Sequence, residues 1–129
     1  MKIKRLTERQ IQVNFFNHVT YFGGFNSLWG LVSAYPLQRG NDVVWLMLRL
    51  KEGAKKNHPD LHWPISRGGY NSLYVELKRK GNKLKADQAL YLEKLRSEGN
   101  HAVCLTVESH EPVVEYFEAY LNNKIIKGN

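Results

Sequence analysis

Residues 73–80, Leu-Tyr-Val-Glu-Leu-Lys-Arg-Lys, limit what this chain can fold into more than any other stretch. Along a β-strand successive side chains point to opposite faces. Leu73, Val75 and Leu77 therefore share one face, and Tyr74, Glu76 and Lys78 share the other. A slip of one residue would bury the charges, so the apolar set fixes the register. Upstream, Pro59-Asp60-Leu61 can lay a second carboxylate beside Glu76 from a neighbouring strand. Two carboxylates and a lysine meeting at one place suit metal-dependent phosphodiester hydrolysis. Carboxylate oxygens hold a hard divalent cation, which polarises phosphate and activates water. An ammonium then orients that water or offsets the developing charge. Read alone, Glu-x-Lys describes a solvated ion pair equally well, worth at most about 1 kcal/mol. The surrounding sequence has to decide.

Thr7-Glu8-Arg9-Gln10 is a capping box, which predicts a helix from about Glu8. Ile11, Phe15, Val19 and Phe22 form its apolar stripe, and Gly23-Gly24 stops it. Leu28 to Tyr35 reads as a first strand ending at Pro36. Gln38 to Asn41 reads as a turn whose Asn41 caps a second helix, Asp42 to Glu52, closed by Gly53. That helix is apolar almost all round, the pattern of a buried helix or of a subunit contact. Asp60 to Ile65 is expected as a short or edge strand, because Pro64 cannot donate to a ladder. Arg67-Gly68-Gly69 is a hairpin turn into the strand Tyr70 to Arg79. A third helix over Lys85 to Glu98, with Leu90, Leu92 and Leu95, should end at Gly99. His101 to Val107 reads as a strand, and Ser109 as the N-cap of a last helix running to about Leu121 with Pro112 in its first turn. Lys124 to Asn129 is expected to fray. The order α-β-α-β-β-α-β-α gives one α/β domain over residues 1–129, a mixed sheet flanked by helices.

Among the 129 residues, 19 Lys and Arg outnumber 12 Asp and Glu, for a net charge of +7, which favours a polyanionic partner. Met1 to Arg9 holds no apolar run of signal-peptide length. The longest apolar run, Val43 to Leu48, is too short to span a bilayer. A lone cysteine, Cys104, excludes an internal disulfide and fits a reducing compartment. The expectation is a soluble, intracellular, cytoplasmic protein with no membrane partner. No Gly-rich phosphate loop points to a nucleotide cofactor.

Five features taken together resemble the VRR-NUC (virus-type replication-repair nuclease) family of the PD-(D/E)XK superfamily. They are Glu8 in the opening helix, Pro59-Asp60-Leu61, the Gly68-Gly69-Tyr70 hairpin, Leu73 to Arg79 with its Glu-x-Lys, and Lys83-Leu84-x-x-x-Gln88. Gly99 and Tyr120-Leu121 fit as well. The resemblance runs from about Thr7 to Leu121 and implies a restriction-endonuclease-like core. It departs at Asn57-His58, where the family usually has a glycine, and at Lys85, where a small capping residue is common. It implies that Asp60 and Glu76 ligate Mg²⁺ or Mn²⁺ with help from the Leu77 carbonyl. Lys78 would position the nucleophilic water, Glu8 would act as an outer ligand directly or through water, and Gln88 would hold Lys78 or a phosphate. It further implies a homodimeric endonuclease acting on branched DNA such as four-way junctions, and a phage origin for the gene. The alternatives are a non-catalytic basic DNA-binding module and an exonuclease of the same superfamily.

Other residues read more plainly. Arg79, Lys80, Lys83 and Lys85 are by default a solvated strand end and loop; beside a phosphate-cleaving site they become backbone contacts. His58 and His62 have helical zinc-ligand spacing, but Pro59 lies between them and no further ligand cluster exists. His18, His101 and His110 accompany no nucleophile pattern. Trp29, Trp45 and Trp63 read as core.

Overall fold

The computed structural model describes residues 5–23, 27–35, 37 and 42–128, with the side chains of residues 22 and 23 left aside. Its elements are α1 (Glu8–Gly23), a 3-10 turn (Leu28–Leu31), β1 (Ser33–Ala34), α2 (Val43–Lys51), β2 (Leu61–Trp63), β3 (Leu73–Arg79), α3 (Ala86–Ser97), β4 (His101–Val107) and α4 (Glu111–Leu121). The sheet order is β1-β2-β3-β4. The first two pairings are antiparallel and β3–β4 is parallel. This is the mixed sheet flanked by helices that the element order predicts.

The apolar face of β3 meets the stripes of α1 and α4. Phe15, Val19, Leu61, Trp63, Leu73, Val75, Leu77, Phe117 and Tyr120 form one cluster. Phe117 packs against both Phe15 and Trp63, at ring centroids of 4.8 and 5.4 Å. The capping box at α1 forms as expected: Thr7 N donates to Gln10 Oε1 and Gln10 N to Thr7 Oγ1. On the opposite face α3 lies along β4, with Leu92 buried and Arg96 Nε donating to the Ala102 carbonyl at 2.8 Å.

Several expectations need correction. Half of Leu28 to Tyr35, Leu28–Leu31, is a 3-10 turn, and only Ser33 and Ala34 pair as strand. The turn Gln38 to Asn41 lies outside the described residues, and Asp42 caps α2, accepting from Trp45 N at 2.9 Å. No residue of α2 is buried; Val43, Val44, Met47, Leu48 and Leu50 face outward, with Val44 70% exposed. The N-cap of α4 is His110, one residue beyond Ser109. Residues 124–127 do not fray. Asn123 turns the chain at φ 57°, and its Oδ1 accepts from Gly68 N. Lys127 N then donates to the Gly68 carbonyl at 2.8 Å. Gly68, at φ 61°, lies so close to the Ile125 carbonyl that any Cβ there would collide with it.

Candidate active site

The ladder between β2 and β3 stops at Leu61↔Val75. Before Leu61 comes Pro59, which has no N–H to extend it. The Asp60 side chain takes over: Oδ2 accepts from Leu77 N at 2.8 Å, standing in for a strand partner. Within a strand residue the N–H and C=O point to the same side. The Leu77 carbonyl therefore faces the same edge as Asp60. Across the ladder, Tyr35 N donates to the Asp60 carbonyl at 2.9 Å, which carries the β1–β2 pairing one residue further.

Glu76 and Lys78 share the face covered by α3. They are 5% and 8% exposed, far from the solvated pair that Glu-x-Lys alone could describe. Lys78 Nζ lies 3.8 Å from Glu76 Oε1. Gln88 spans from its helix N-terminus to the site. Its Oε1 accepts from Lys85 N at 3.0 Å, and its Nε2 donates to Glu76 Oε1 at 3.4 Å. The contact expected with Lys78 is thus made with that lysine's carboxylate neighbour. Glu8 sits at the edge: its Oε2 accepts from Arg79 N at 3.0 Å and Asn82 Nδ2 at 2.8 Å.

Burial drives the Glu76 carboxyl up to about 8, and the nearby Asp60 charge adds to the rise while Lys78 opposes it. Burial also raises Asp60, against the lowering effect of the Leu77 amide. The two side chains also act on one another, in the sense that lowers Asp60 and raises Glu76 further. Two buried carboxyls whose ionisations oppose one another are a recurrent feature of catalytic sites.

Among the described residues no group of three or more His, Cys, Asp or Glu converges as a metal site. The donor set nonetheless fits a small hard cation. Mg²⁺ keeps several of its waters and takes only one or two carboxylates from the protein. Asp60 and Glu76 are two such carboxylates, and the Leu77 carbonyl would add a further oxygen beside Asp60.

Around the carboxylates opens a cleft of about 310 Å³, bounded also by Tyr35, Leu37, Leu46, Lys56, His58, Lys85 and Gln88. Of these residues, Lys85 and Gln88 are expected at the site from the sequence, whereas His58 stands out there only for its zinc-like spacing with His62 and as a departure from the family pattern. His58 Nδ1 pairs with the Pro59 carbonyl at 2.8 Å, and burial lowers its pKa. Cys104, read from the sequence only for its bearing on disulfides, also lies beside the site. It stands opposite Glu76 in the parallel register, and burial, then the Glu76 charge, raises its thiol pKa. The strand pattern of His101 to Val107 could have placed it, had the parallel register been legible.

No family model matches the chain, and no curated protein matches it. Among solved structures, one described as a VRR_NUC domain protein matches with a TM-score of 0.75 at 26% identity, covering 98% of this chain and 97% of that one.

Proposed function

The chain folds as a VRR-NUC domain, and on that premise we propose that it is a Mg²⁺- or Mn²⁺-dependent DNA endonuclease acting on branched DNA, four-way junctions included. The observation that carries the reading is the buried Asp60–Glu76 pair with Lys78 Nζ 3.8 Å from Glu76. Burying two mutually repelling carboxyls works against folding unless a cation is to be received there. Asp60, Glu76 and the Leu77 carbonyl would hold it, and Glu8 would act from the edge, directly or through water. When bound, the cation supplies Lewis acidity and an activated water.

The other groups have distinct tasks. Lys78 orients the attacking water and offsets negative charge as the phosphate is attacked. Gln88 holds the Glu76 carboxylate in place. Arg79, Lys80, Lys83 and Lys85 follow the phosphate backbone of the DNA, so affinity is nearly indifferent to sequence and falls steeply with salt. The outward apolar side of α2 (Val43, Val44, Met47, Leu48 and Leu50 all more than a third exposed) suits contact with a second copy of the chain. Paired active sites are then related by a two-fold axis, which matches a symmetric branch.

The test is nicking of circular, linear and four-way DNA with Mg²⁺ or Mn²⁺, with affinity measured in parallel. Asp60→Asn should lower cleavage by about 100-fold or more and leave DNA binding intact. Wild-type protein that binds DNA but cuts none of these substrates with either metal would mark a non-catalytic binding module. Cutting confined to linear DNA would mark an exonuclease.

A further inference from the structure

We propose that the cleft beside Asp60 and Glu76 is a slot for one unstacked nucleobase, so that the preferred substrate carries an unpaired nucleotide next to the phosphate that is cut. This rests on the nuclease reading of the carboxylates and names what that reading leaves open, the feature of the DNA that the site recognises.

The slot has an aromatic wall already fixed in place. The Tyr35 ring stacks on the His58 ring, with centroids 3.9 Å apart and planes inclined by 20°. Tyr35 is held at both ends, by its amide on the Asp60 carbonyl and by its hydroxyl, which accepts from Lys55 N at 2.6 Å. His58 is tied to the Pro59 carbonyl. Both rings border the cleft, and Tyr35 joins directly through its backbone to Asp60, so a base stacked there lies beside the carboxylates. Leu37 and Leu46 add apolar walls, while Lys56 and Lys85 bring cations that suit the flanking phosphates. A cleft of about 310 Å³ that combines aromatic and apolar walls with charged side chains is at the lower end of the size range for small-ligand sites.

The flat aromatic surface selects a nucleobase over a sugar or a second phosphate. Base-on-ring stacking is tolerant of sequence because every base has a π-face. Bases within intact duplex are already stacked on their neighbours and are out of reach, whereas an extruded or unpaired base is free to enter. The slot therefore reads the state of the DNA and not its sequence.

The experiment measures affinity by fluorescence anisotropy in EDTA, where no metal-dependent cut intervenes, for three probes. They are a matched duplex, the same duplex with a one-nucleotide bulge, and the same bulge made abasic. Wild-type protein should bind the bulge more tightly than the duplex by about 5- to 100-fold, the range of a single base–aromatic stack, and lose that gain with the abasic bulge. Tyr35→Phe should keep the preference because the ring remains. Tyr35→Ala should abolish it while duplex affinity stays the same. Leu46→Trp, which fills the slot from the other wall, should abolish it too and decides the matter if Tyr35→Ala does not fold. Equal affinity of wild type for the base-containing and abasic bulges overturns the slot, as does a preference that survives Leu46→Trp. Cleavage of the same probes in Mn²⁺ is read separately. Cutting without a base-dependent preference leaves the nuclease reading standing and removes the slot. A base-dependent preference without any cutting removes the nuclease reading instead.

Discussion

On one side of β3, Leu73, Val75 and Leu77 press into the rings of α1, β2 and α4; on the other, Glu76 and Lys78 are almost as deeply covered. Depth is nearly equal, but the consequences are opposite. Burying the apolar side removes hydrocarbon from water at roughly 25 cal/mol per Å² and helps fold the chain. Burying the charged side raises both carboxyls, Glu76 to about 8, well above the range near 4 where carboxyls in water release their protons. One strand thus keeps both a face that stabilises and a face that is tolerated. The first holds the second rigid, as a site needs if its reacting groups are to stay in place.

The two faces should part most widely under truncation. Phe117→Ala, which empties the space beneath Trp63 and Phe15, should cost about 3–5 kcal/mol, a large share of a typical domain's stability. Denaturant unfolding measures it. Glu76→Gln should do the reverse: stability holds or rises as the carboxylate repulsion disappears, while cleavage falls by about 100-fold or more. A fall in stability like that of Phe117→Ala would show the two faces to be energetically alike.

Acidity gives a smaller and more diagnostic effect. Both carboxyls are raised in the folded chain, so folding takes up protons, and this contribution is fully present below about pH 4. It is lost as pH rises towards the folded value of about 8 for Glu76. In EDTA the melting temperature should therefore decline from mildly acidic to mildly alkaline pH. Adding Mn²⁺ should reverse most of that decline, with affinity for the ion rising over the same interval as its ligands deprotonate. A melting temperature that stays flat with pH in EDTA would mean that the pair ionises freely.

The smallest change is expected at the rim. Glu8→Gln keeps an oxygen for Arg79 N and Asn82 but removes a charge near the carboxylates. Cleavage should fall by about 10-fold, the scale of outer-shell changes, with little change in unfolding free energy.

The sequence made β3 legible because two constraints agree on it: period-two alternation, and an apolar set that tolerates no slip. Capping at α1 was equally plain, since Thr7 and Gln10 satisfy one another locally. Legibility failed where long-range partners decide. Leu28 to Leu31 has a strand's composition, yet the turn is set by packing, with the Leu28 carbonyl accepting from Trp63 Nε1. The apolar pattern of α2 was clear, but its outward placement was not, because composition does not say which side of a helix meets the core. In the site, Asp60, Glu76 and Lys78 were singled out by spacing, whereas Tyr35 and Cys104 arrive there only through strand pairing.

The clasp of residues 120–127 on the hairpin turn has a consequence for the order in which the protein can be made. Tyr120 Oη donates to the Ile65 carbonyl, Arg67 Nε to the Leu121 carbonyl, and Lys127 N to the Gly68 carbonyl. The Ile65 and Gly68 carbonyls and the Arg67 side chain thus find these partners in residues that leave the ribosome more than fifty positions later. At about 5–20 residues per second, that is a wait of some seconds during which the turn stays hydrated. The hairpin that carries Asp60 and Glu76 can pair through Leu61↔Val75 and the Asp60 Oδ2–Leu77 N bond as soon as those residues are made, whereas its turn is clasped only when translation has passed residue 127.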